Sequence, residues 1–133
     1  MFFIHNLNLL ILVVPKKLIV ALKGALENSM DFVEGLYTLG SNQINGKPHW
    51  IQDEDYWIED RGMAIWYKEN HWNIGNIEDL GSCNVIMYSS GDAVGPYEPS
   101  TWHYFNYDDD DWSCFETTDV LILPTQGIFL FKS

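Results

Sequence analysis

Basic residues are scarce in this sequence: seven Lys and Arg stand against 19 Asp and Glu, a formal net charge of −12. Three of the seven, Lys16, Lys17 and Lys23, fall before the first acidic residue, so the remainder of the chain is more acidic still. Such a surface repels phosphate backbones, which are bound by clustered Lys and Arg, and nucleic acid is excluded as a partner on that ground. Cysteine is nearly absent. Cys83 and Cys114 allow one disulfide in an oxidising compartment or two thiols in a reducing one, so secreted and cytoplasmic locations are both compatible. Uninterrupted apolar runs are short, because Pro15-Lys16-Lys17 breaks the stretch LNLLILVV well below the roughly 20 residues a spanning helix needs. No stable membrane span is expected. The chain also lacks an N-x-[ST] sequon, a G-x-S-x-G elbow, a G-x-G-x-x-G loop and a Walker pattern, and no cofactor is expected.

What is present is apolar and aromatic side chain. Hydrophobic residues make up 47% of the chain and aromatics 15%, which separates it from disordered acidic chains. Its 133 residues suit one domain with an appendage. Residues 1–30 form an N-terminal apolar leader or short helix, in which Leu18, Ala21, Leu22, Ala25 and Leu26 recur at helical spacing. The lysines follow the apolar run rather than precede it, which departs from a secretory signal.

Residues 31–133 read as a tryptophan-rich antiparallel β domain. All six tryptophans lie there, and turn signals recur at Gly40-Ser41-Asn42, Asn45-Gly46, Arg61-Gly62, Gly81-Ser82, Ser90-Gly91-Asp92 and Gly95-Pro96. Strands are expected at 35–39, 48–52, 56–59, 63–68, 71–75, 84–89, 101–106, 112–116 and 119–123. The fold class is therefore all-β, a compact antiparallel sheet, sandwich or small barrel of about seven to nine short strands. Alternation puts Met63, Ile65 and Tyr67 on one face and Ala64, Trp66 and Lys68 on the other. An inward tryptophan on each strand would fill so small a core.

In order along the chain stand GLYTLGSNQINGKPHW, AIWYKENHWNIG, EDLGS, MYSSGDAVGPYEPSTWHYF and DDW. This succession resembles a small tryptophan-rich β module that recurs, often in several copies, in multidomain eukaryotic proteins. The module carries an NG[RK]Px[YW] segment, a WxIG hairpin, a YS strand and a final W…W pair. The best matches are Asn45-Gly46-Lys47-Pro48, Trp72-Ile74-Gly75, Trp102 and Trp112, and Asp108–Asp111 replaces the usual short final turn. The resemblance implies architecture and carries over no catalytic residue.

Four groups are candidates for chemistry. In DEDYWIED, acids bracket aromatics, so Tyr56 and Trp57 with Asp53 and Asp55 are ligand-binding candidates for a protein or glycan. The aspartates 108–111 read as a turn between two aromatic strands. An EF-hand register fails: counted from Asn106, position six is Asp111 and position twelve is Thr117, which leaves only weak calcium binding through residues such as Asp108 and Asp110. Three histidines adjoin tryptophans, and inward tryptophans would send His49, His71 and His103 outward; His71 and His103 are the weak metal candidates. Cys83 and Cys114 are the disulfide candidates. These features favour a noncatalytic binding module. The alternatives are a small metal-dependent enzyme using the outward histidines, and a structural repeat unit of a longer chain.

Overall fold

A computed structural model of the chain describes residues 14–24, 30–91, 93–105 and 114–125. Nine strands form one sheet: β1 Lys17–Leu22, β2 Gly35–Leu39, β3 Trp50–Gln52, β4 Met63–Lys68, β5 His71–Asn76, β6 Met87–Ser89, β7 Trp102–Phe105, β8 Cys114–Thr117 and β9 Val120–Pro124. Their order is β8-β7-β6-β5-β4-β3-β2-β1-β9, every neighbouring pair is antiparallel, and the sheet curls into a nearly closed barrel. Among the described residues the helical pieces are three 3-10 turns, Asp31–Val33, Glu54–Tyr56 and Ile77–Asp79.

The directions of the strands explain how the barrel closes. With every pair antiparallel, β8 and β9 at opposite edges of the order run the same way. Only Thr118 and Asp119 separate them, so they are the two halves of one bent strand. Its first half pairs with β7 and its second with β1, as the stagger of a tilted barrel requires.

Tight turns set the register. Asn45 and Gly46 (φ 55° and 82°), Glu59 and Asp60 (54° and 61°), and Glu69 and Asn70 (53° and 68°) each pair two left-handed residues. That is the type I′ geometry whose twist matches antiparallel strands. Ile44 and Lys47 exchange hydrogen bonds across the first of these turns at 2.9 and 3.2 Å.

The interior is filled by alternate positions of the strands: Leu18, Val20, Tyr37, Trp50, Met63, Ile65, Trp72, Ile74, Met87, Trp102 and Ile122 are all buried. Trp50 and Trp72 meet with ring centroids 5.9 Å apart. Their indole N–H groups donate to Pro15 O and Ala93 O, both at 2.9 Å, so neither donor is stranded. Met30 and Val33 plug one end, and the Tyr37 hydroxyl donates to Val33 O at 2.7 Å. Burial pushes that phenol's pKa well above its usual value.

Not every tryptophan points inward. Trp50, Trp72 and Trp102 belong to the core, whereas Trp66 is fully buried on the outside of the barrel. Its indole lies over Gly75 and donates to Ser82 O at 3.1 Å, beneath the connection between β5 and β6. Asn45 ties the neighbouring loop down by donating to Tyr67 O (2.8 Å) and Gly81 O (3.2 Å). One wall therefore carries a second apolar layer. Trp57 is half-buried in a loop, and Trp112 lies outside the described residues.

Two expected elements change. The helical spacing from Leu18 gives way to strand β1, because Leu18, Val20 and Leu22 also alternate and both flanking strands supply backbone partners. The sheet thus begins at Lys17, inside the leader stretch 1–30. Conversely, 56–59 is no strand: Glu54–Tyr56 is a 3-10 turn, and Ile58 pairs only with Arg61 across the turn at Glu59-Asp60.

Candidate functional site

The connection from β3 to β4, residues 53–62, crosses the end of the barrel that Met30 and Val33 plug. Asp53 begins it by accepting from Thr38 Oγ1 at 2.6 Å and pairing with Lys17 Nζ at 3.3 Å. Tyr56 then packs against Gly35, whose φ of +129° and crowded Cβ position admit only glycine. Trp57 donates from Nε1 to Gln52 O at 2.9 Å and lies against Gly62, which Ile77 also crowds. With Trp57 pinned, the following turn holds Ile58 outward, and Tyr56 and Ile58 are each 43% exposed.

Gln52 secures the floor. This fully buried amide donates to Phe32 O (3.0 Å) and Glu34 O (2.9 Å) and accepts from Met63 N (2.9 Å). It thereby ties the 3-10 turn at Asp31–Val33 to the starts of β2 and β4. Between these parts opens a cavity of about 300 Å³ lined by Phe32, Ile58, Glu59, Arg61, Met63, Asn76 and Ile86. Arg61 and Asn76 also line a neighbouring cavity of about 280 Å³, with Trp57, Asp60 and Glu78 among its walls. Chemically this end offers an apolar floor, a partly exposed phenol and a rim of carboxylates.

The sequence candidates distribute unevenly over this end. Tyr56 and Trp57 lie on the connection, Trp57 as a wall and Tyr56 exposed beside it, and Asp55 is exposed on the 3-10 turn. Asp53 instead joins β1, β2 and the connection through Lys17 and Thr38. Phe32, Ile58 and Ile86 were not singled out from the sequence. Ile58 stood inside the quoted DEDYWIED stretch, but Phe32 and Ile86 arrive from distant parts of the chain with no local signal.

His71 and His103 face outward, as expected, on β5 and β7. Tyr88 of β6 stands between them, 5.1 Å edge-on from His71 and 4.8 Å stacked on His103. The imidazoles share a face without converging. His71 Nδ1 lies 2.7 Å from Ser89 O, His103 Nε2 lies 2.8 Å from Ser90 Oγ, and His103 Nδ1 is 4.0 Å from Glu116 Oε1. Among the described residues no three His, Cys, Asp or Glu side chains gather as a metal site.

His49 differs from the exposed histidine that was expected. It is only 6% exposed, its ring lies against Gly40, and its Nδ1 has no hydrogen-bond partner. Burial lowers its pKa below 6.5, opposed by a weaker hydrogen bond with the Asn42 backbone.

Cys83 carries a free, exposed thiol 3.5 Å from Glu69 Oε1, while the side chain of Cys114 is outside the described residues. Asp108 and Asp110 are outside them too. The strands on either side of these aspartates pair antiparallel, with Phe105 opposite Cys114.

Comparison with protein families, with curated proteins and with solved structures finds no match to this chain. Among the described residues, no helix is long and apolar enough to cross a membrane.

Proposed function

We propose that the protein is a noncatalytic binding module for a protein or glycan, of the tryptophan-rich β type it resembles. Its ligand face is the barrel end built by residues 53–62. The observation that carries this reading is the pair Tyr56 and Ile58, held 43% exposed beside a cavity with an apolar floor, on a loop that Trp57 and Gln52 hold in place. A partly exposed apolar anchor on a preorganised support is what recognition sites use, since little ordering entropy remains to be lost on binding. The test is a survey of peptide and glycan arrays with the full chain and with Ile58→Asp. Ligands retained by the parent and lost by the variant are the expected result. Equal binding by both places the ligand face elsewhere.

A second reading rests on Ser90. Its hydroxyl is within hydrogen-bond distance of His103 Nε2, with Glu116 on the far side of the imidazole, an order suited to nucleophilic hydrolysis. Turnover of an activated ester that disappears in Ser90→Ala and in His103→Ala would favour this reading over the binding module.

A further inference from the structure

We infer that the partner of this barrel end is an extended basic peptide, with Lys or Arg flanking a single apolar side chain that fills the cavity beside Ile58. This inference rests on the binding-module reading and gives its partner a chemistry.

The apolar part of the recognition follows from the cavity. Met63 and Ile86, both nearly fully buried, form its floor, and Phe32 and Ile58 form its walls. Its volume of about 300 Å³ stands at the lower end of ligand pockets, enough for one large side chain and its backbone. Ile58 leaves much of its surface to water, so an inserted aliphatic group would desolvate both partners at roughly 25 cal/mol per Å² covered.

The charge of the rim selects what surrounds that anchor. Glu59 lines the cavity itself, and Asp60 and Glu78 line the one beside it. Glu54 and Asp55 stand exposed on the preceding 3-10 turn. Arg61 is the one basic residue lining either cavity, and none of these five carboxylates forms an ion pair among the described residues. Opposite charge on a partner adds attraction here and steers its approach, helped by the chain's net charge of −12.

The charge of the rim favours a basic peptide over a neutral sugar. Trp57 rests against Gly62 with its N–H already used on Gln52 O, and Tyr56, one side of which lies against Gly35, is the aromatic left to water.

The experiment titrates the full chain with a capped Lys-Arg-Leu-Arg-Lys peptide, followed by calorimetry, at about 50 and 500 mM salt. The comparison peptides replace Leu by Gly, or the basic residues by Glu. A triple variant, Glu59→Lys with Asp60→Lys and Glu78→Lys, leaves the buried floor untouched, and its near-ultraviolet circular dichroism checks that it folds. Expected are saturable binding at low salt, weakening of at least tenfold at high salt, a similar loss in the triple variant, and a further loss with the Leu-to-Gly peptide. Absence of saturable binding at low salt overturns the inference, as does binding that is indifferent to the charge reversal. If the basic peptide fails while an arrayed ligand is still lost in Ile58→Asp, the binding module stands and only the partner's chemistry falls.

Discussion

Replacing Gln52 by Leu keeps the side chain's size and removes three hydrogen bonds at once. Phe32 O and Glu34 O lose their donor at sites that water partly reaches, which costs about 1 kcal/mol each. The Met63 N–H is fully buried and loses its acceptor, which adds about 1–3 kcal/mol. Leucine's better partition out of water returns a part of this. The expected net loss is about 3 kcal/mol, a large fraction of the roughly 5–15 kcal/mol that holds a typical domain. Urea unfolding followed by tryptophan fluorescence measures it directly. Thermal unfolding should move down by roughly 10 °C, at about 3–4 °C per kcal/mol for a chain of this size. Because Gln52 tethers the turn that carries Phe32, the variant should also bind arrayed ligands less tightly than its folded fraction accounts for. A loss below about 1 kcal/mol would show that backbone or solvent replaces the amide, and that the floor of the cavity does not depend on it.

Four further outcomes can be checked with single variants. Gly75→Ala puts a Cβ 2.7 Å from Trp66 Cη2 and should cost about 1–3 kcal/mol in urea. Gly46→Ala meets no atom within 4 Å yet sits at φ +82°, and should cost only about 1 kcal/mol from backbone strain. Burial holds His49 below its unfolded pKa of about 6.5, so the folded state takes up its proton later than the unfolded chain does. Its contribution is therefore complete above about pH 6.5 and is lost as pH falls below it, and His49→Leu should flatten that part of a stability-against-pH curve. The exposed Cys83 thiol should react with a maleimide in the native protein, and Cys83→Ala should remove that reaction, read by intact mass.

Local pattern was enough for some elements and not for others. β2 and β4 appear at the positions expected, because alternation and flanking turn residues both act within a few residues of chain. β1 was hidden, since Leu18, Ala21 and Leu22 suit a helix as well as Leu18, Val20 and Leu22 suit a strand. What decides is the backbone pairing offered by β2 and β9, and β9 lies about a hundred residues away along the chain. The same non-locality hid the burial of His49, which follows from a loop folding back over an outward position. Of the candidate site, the aromatic and acidic stretch at Tyr56 and Trp57 was legible. The cavity beside it was not, because its floor and walls join three separated stretches of chain.

The pairing of β1 with β9 also decides how this barrel fits within a larger polypeptide. The N–H of Thr125 donates to Lys17 O at 3.2 Å, so the chain comes in and goes out side by side, at about the spacing of neighbouring strands. Spliced into a surface loop of a host, the barrel would hang as a pendant on a narrow stalk without prying the host's own strands apart.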